Sequence, residues 1–160
     1  MKVIGDALHK LTCLVVSAND LDRHLLGTGL EKLGAIEVLS CSSGADALNI
    51  LNFRSHPVDL ILADIHAPGF HGFALLQALR VGNIKNMRLN ATFVLTTESP
   101  QIDHIQAASA LDANGFIVKP IEFVRFQTAI SKARRTVFPP NPGRHANVTL
   151  PAIVGDGRAK

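Results

Sequence analysis

The chain has no tryptophan and no tyrosine, and its 160 residues include only two cysteines. Phenylalanine supplies all of the 5% aromatic content. The core must therefore be mainly aliphatic, and no indole or phenol is present to stack on a flavin ring. Cys13 and Cys41 lie in apolar, strand-like stretches with no ligand spacing. That argues against a disulfide framework or a cysteine metal site and leaves buried, reduced thiols. No apolar run approaches the ~20 residues of a membrane span, and the first residues lack the apolar centre of a secretory leader. A soluble, cytoplasmic domain is expected. The net charge is a modest +3. Lys132, Arg134 and Arg135 cluster late in the chain, but no dense basic run and no nucleic-acid-binding motif accompanies them. Nucleic acid and membrane are not among the expected partners. A glycine-rich phosphate loop is missing too. Gly27-Thr28-Gly29 and Gly34 belong to an amphipathic helical pattern rather than to a strand–helix turn.

What is present is 47% hydrophobic residue, enough for one domain with a short appendage. The central stretch runs from Val58 to Gly72. Its Leu60-Ile61-Leu62 core is continuous rather than alternating, which suits a parallel strand buried on both faces. It ends in Asp64, then a Pro/Gly loop through Pro68 and Gly69, then an amphipathic segment from Phe73 to Arg80. Elsewhere, Leu11–Val16, Ile36–Leu39, Ala91–Thr96 and Phe116–Val118 read as strands. Leu21–Leu33, Ala45–Asn52, Ser99–Leu111 and Glu122–Val137 read as helices. Asp20 is expected to cap the first helix, with Leu21, Leu25, Leu26, Leu30 and Leu33 as its apolar stripe, and Pro100 to sit in the first turn of the fourth. Met1–Lys10 reads as a lead-in. Strands alternating with helices imply an α/β fold, a doubly wound five-stranded parallel sheet with helices on both faces. Residues 8–137 form the expected domain. Residues 138–160, opened by Pro139, Pro140 and Pro142, form a Pro/Gly-rich flexible tail too short for an output domain, with Leu150, Ile153 and Val154 as its docking residues.

Three strands thus end in different chemical groups: Asp64, Thr96 and Lys119. Parallel strands present their carboxyl ends on one edge, where open α/β sheets place their chemistry. A carboxylate, a hydroxyl and an ammonium together suit an acyl-phosphate: one oxygen attacks phosphorus, and the others hold the equatorial oxygens.

In this arrangement the sequence resembles the receiver domain of two-component response regulators, in the single-domain chemotaxis style. The likeness covers about Leu11 to Val137. It rests on Leu14-Val15-Val16, on Asp64-Ile65-His66-Ala67-Pro68 with Gly72 four residues past the proline, on Thr96, and on Gly115-Phe116-Ile117-Val118-Lys119-Pro120. The resemblance implies the strand order 2-1-3-4-5 and Asp64 as phosphoacceptor. Thr96 and Lys119 act at the phosphoryl group, and Thr96 and Phe116 form a switch. A cis Lys119–Pro120 peptide is implied as well. His66 and Glu98 would line the path of the hydrolytic water, and Thr97 would stand where a small residue keeps the pocket open. The implied partners are a histidine kinase or histidine phosphotransfer protein, and a downstream protein that reads the face of helix 4, strand 5 and helix 5; the likeness leaves room for a homodimer. The implied role is that of a signalling domain, with any phosphoryl transfer directed to itself.

One element of the family pattern departs. Two acidic residues normally follow the first strand and hold Mg²⁺ with the phosphoacceptor and, here, the His66 backbone carbonyl. This chain has Ser17 and Ala18 instead. Mg²⁺ prefers carboxylate oxygens in octahedral geometry, so the departure counts against the metal. It also supports an alternative reading, a pseudo-receiver acting as a phosphorylation-independent interaction or dimerisation module.

Overall fold

A computed structural model describes residues 10–120 and 122–153; the lead-in up to His9 and Val154 lie outside them. The strands are β1 (Thr12–Val16), β2 (Glu37–Cys41), β3 (Leu60–Asp64), β4 (Thr92–Thr97) and β5 (Gly115–Val118). They alternate with α1 (Asp20–Lys32), α2 (Gly44–Phe53), α3 (Gly72–Arg80), α4 (Ile102–Ala110) and α5 (Phe123–Arg135), and a short α6 (Pro142–Ala146) follows. All pairings are parallel and the order is β2-β1-β3-β4-β5, as expected.

The uninterrupted apolar strands are explained by two cores. Successive residues of a strand face opposite sides of the sheet. Leu14, Val16, Ile61, Ala63, Phe93 and Leu95 pack under α2, α3 and α4, through Leu51, Phe73, Leu76 and Ala107. Cys13, Val15, Leu60, Leu62, Val94 and Ile117 pack under α1 and α5, through Leu30, Phe126 and Ile130. Leu60, Ile61 and Leu62 are fully buried, each burial contributing about 2 kcal/mol. A polar residue at any of them would disturb one of the two cores.

Several boundaries shift, each for a local reason. The cap of α1 is Asn19, not Asp20: its side chain accepts from the Asp22 N–H at 2.9 Å, and Asp20 opens the helix and pairs with Arg23. Leu21 and Leu25 are exposed, so only the Leu26–Leu30–Leu33 side of the expected stripe packs inward. β2 runs two residues further than expected, because its pairing with β1 continues to Val16↔Cys41. α4 starts at Ile102 instead of Ser99, since the Ser99 N–H turns back to Thr97 Oγ1 and leaves Pro100 ahead of the helix. Gly44 is needed for contact: a Cβ there would lie 1.7 Å from the Phe70 carbonyl oxygen.

At the amino ends of β4 and β5 sits Arg80, the last residue of α3 and 2% exposed. Its guanidinium donates to the carbonyls of Leu89, Ala91, Leu111 and Asp112 and to Asn114 Oδ1, at 2.7–3.1 Å. Asn114 in turn accepts from the Phe93 N–H and donates to the Thr136 carbonyl. The expected flexible tail is, over residues 138–153, a packed segment. Gln77 Nε2 donates to the carbonyls of His145 and Val148, His145 Nε2 lies 2.9 Å from Asp112 Oδ2, and Ile153 is buried. Four prolines and a glycine deny this stretch a long helix, but they leave its side chains able to dock.

Candidate functional site

The site forms where β3 and β4 end side by side. Asp64 is in register with Thr96, and the Ile65 N–H donates to the Thr96 carbonyl at 3.0 Å. One strand further, the Lys119 N–H donates to the Thr97 carbonyl at 2.7 Å, which brings Lys119 to the same edge. Lys119–Pro120 is cis, as the resemblance implies. Gly72 closes the loop behind Asp64; a Cβ there would lie 2.8 Å from the Asp64 carbonyl oxygen.

Asp64 is satisfied at both oxygens. Oδ1 accepts from the His66 N–H at 2.8 Å, and Oδ2 accepts from Lys119 Nζ at 2.8 Å. Lys119 also donates to Asp22 Oδ2 at 2.7 Å. Its side chain is 9% exposed, against 13% for Asp64 and 21% for Asp22. Burial alone would lower the Lys119 pKa; the hydrogen bonds and charges of Asp22 and Asp64 outweigh it, and the net shift is upward. The ammonium is therefore a fixed positive charge in the working pH range. Around it lies a cleft of about 330 Å³ bordered by Ala18, Asn19, Asp22, Asp64, His66, Glu98, Ser99 and Lys119.

Of the residues expected at this edge, Asp64, His66, Glu98 and Lys119 line the cleft. Thr96 and Thr97 are buried beside it. Phe116 is half-buried one strand away, paired with Leu95. Two residues escaped the sequence reading. Asp22 is one; had the cap been placed at Asn19, the third residue beyond it would have been seen to start on the site's side of the helix. The other is His104 of α4, 4% exposed, its ring 5.8 Å from Phe73 and 6.3 Å from His66. His104 Nδ1 has no hydrogen-bond partner among the described residues. No sequence pattern marks it, because a histidine on the buried side of a helix looks like any polar position until the partner loop is known.

The residues present do not fit a magnesium ion of the family kind. Ser17 is buried with its Oγ accepting from the Asn19 N–H, and Ala18 offers no side-chain oxygen. Asp22 and Asp64 are both engaged by Lys119. Among the described residues no group of three or more His, Cys, Asp or Glu is placed to hold a metal.

A parallel 2-1-3-4-5 sheet with carboxylate, hydroxyl and ammonium at one end defines a receiver-type module. Residues 13–131 match the response regulator receiver domain, and the chain belongs to that family. It is 38% identical over 94 residues to the transcriptional regulatory protein MalR of Bacillus subtilis, covering 59% of this chain and 37% of MalR. It is 28% identical over 115 residues to the sensory/regulatory protein RpfC of Xanthomonas campestris, covering 71% of this chain and 15% of RpfC. The chain thus spans well under half the length of these relatives. In structure it is similar to the Vibrio cholerae chemotaxis protein CheY4, with a TM-score of 0.66 and 21% identity over 79% of this chain and 98% of that one. It is also similar to the receiver domain of the sensor histidine kinase PA1611 from Pseudomonas aeruginosa (TM-score 0.63, 21% identity, 79% and 97% covered), which holds a magnesium ion in its active-site cleft.

Proposed function

We propose that this receiver accepts a phosphoryl group on Asp64 from a histidine kinase or a histidine phosphotransfer protein. The observation that carries the reading is the Asp64–Lys119 ion pair, 2.8 Å, with Thr96 in register on the next strand. In the transfer an Asp64 carboxylate oxygen forms the O–P bond. The N–P bond of the donor phosphohistidine breaks, and its imidazole keeps the electron pair. Lys119 and the Thr96 hydroxyl are the groups at hand for the phosphoryl oxygens. The chemistry falls on the domain's own carboxylate, so the product is a signal rather than a turnover.

The signal is read on the α4–β5–α5 face. Ile102, Ile105, Val118 and Val124 are exposed there, apolar surface suited to a downstream protein or a second copy of the chain. Thr96 moving toward the phosphoryl group makes room for Phe116, a shift between two packings of that face. Amide NMR spectra with and without phosphodonor test this. Shifts should appear at the Asp64 loop and along α4 and β5, and vanish in Asp64→Ala; shifts unaffected by Asp64→Ala would contradict it. The pseudo-receiver alternative is favoured by Ser17 and Ala18. It predicts that partner binding is the same for wild type and Asp64→Ala.

A further inference from the structure

We infer that Asp22 is a positioning residue that holds Lys119 as the standing cation of the cleft, and that phosphorylation of Asp64 needs no divalent metal. The inference rests on the reading of Asp64 as phosphoacceptor and concerns how that site manages charge.

A single ammonium is shared by two carboxylates, at 2.7 Å to Asp22 and 2.8 Å to Asp64. Asp22 is fixed for this task by its own backbone, since its N–H is the donor to the Asn19 cap. The carboxylate therefore projects from the first turn of α1 and not from the loop after β1. Two carboxylates and one ammonium leave one net negative charge in the inner cleft. A site with an acidic pair, the acceptor and a lysine would leave two, a balance that calls for a divalent cation. Glu98 adds a carboxylate only at the exposed rim. A metal entering here would have to share both carboxylates with an ammonium that already holds one oxygen of each, and Ser17 and Ala18 supply no further carboxylate. Lys119 has three N–H donors and spends two on Asp22 and Asp64, so one remains for an incoming phosphoryl oxygen. Asp22 keeps its hold as Asp64 gives up its share to the phosphoryl group.

The test uses the purified full chain and phosphoramidate as donor, with adduct formation followed by intact mass in EDTA and in Mg²⁺. Wild type should form adduct at rates within about twofold in the two conditions. Asp22→Asn keeps the shape but loses the charge and should slow the reaction about tenfold, with Asp22→Glu recovering part of it. The double substitution Ser17→Asp/Ala18→Asp restores the acidic pair and should make the rate metal-dependent. A readout independent of the reaction is the paramagnetic resonance signal of Mn²⁺, which wild type should leave undiminished and the double variant should quench. Adduct in the wild type only with Mg²⁺, or quenching of Mn²⁺ by wild type, overturns the inference and leaves the phosphoacceptor reading standing. No adduct in any arm, the double variant included, overturns the phosphoacceptor reading and this inference with it.

Discussion

Two basic side chains stand at opposite ends of one sheet, and they are held in opposite ways. Arg80, at the amino ends of β4 and β5, is surrounded by neutral oxygens: four backbone carbonyls and one side-chain amide. Lys119, at the carboxyl end, is surrounded by carboxylates. The effect on proton affinity follows. Burial pushes Arg80 down, to about 10, and the charge of Asp112 offsets this only in part. For Lys119 burial also acts downward, but two carboxylates outweigh it. Neutral acceptors satisfy a cation's hydrogen bonds without repaying its lost hydration, so Arg80 is bound by geometry and serves the fold. Charged acceptors repay it and can exchange partners, so Lys119 serves the site.

The largest effect is expected from Arg80→Ala. It would leave buried carbonyls and the Asn114 amide without a donor and create a cavity, at a cost of about 3–5 kcal/mol in urea denaturation. Arg80→Lys should recover little, because one ammonium cannot span acceptors arranged for a planar fork. Lys119→Met is expected to cost much less, about 1–2 kcal/mol, while abolishing adduct formation on Asp64. A loss of stability at Lys119 as large as at Arg80 would erase the distinction between the two ends.

The fold was largely legible in the chain because its signals are local and repeated. Leu60-Ile61-Leu62 followed by Asp64 has few readings other than a doubly buried strand with a polar end. The placement of Asp64, Thr96 and Lys119 at one edge was legible for the same reason, each sitting where an apolar run stops. Asp22 was not, because its role depends on which of two adjacent residues caps α1. That choice between Asn19 and Asp20 turns on a single hydrogen bond. Arg80 was hidden too: as the last residue of a helix it looks like an exposed charge favourable to the helix dipole. Only the carbonyls of Leu89, Ala91, Leu111 and Asp112, brought together by the sheet, reveal it as buried. The packing of residues 138–153 was obscured by composition, since prolines and glycines suggest a loose chain whether or not it docks.

Asp112 sits at the structural end, its backbone in the left-handed region and its carboxylate joined to Arg144 and His145. Asp112→Asn keeps that backbone but removes the charge. It should cost about 1 kcal/mol and speed amide exchange over residues 138–153, with no change at Asp64. The smallest effect is in the alkaline range. Lys119 has a raised pKa in the folded state, so its contribution to stability is fully present below the unfolded value of 10.5 and is lost as pH climbs through the folded one. The stability difference between wild type and Lys119→Met should therefore shrink as pH rises past that value, as read by paired urea titrations.

The decisive question is whether Asp64 takes the phosphoryl group. Wild type and Asp64→Ala, each incubated with phosphoramidate and read by intact mass and by peptide mapping of residues 58–72, decide it. A single hydroxylamine-labile adduct on the wild type, confined to that peptide and absent from Asp64→Ala, is the predicted result. An adduct of equal yield on Asp64→Ala, or none on wild type when the donor readily labels another receiver in the same tube, would contradict it.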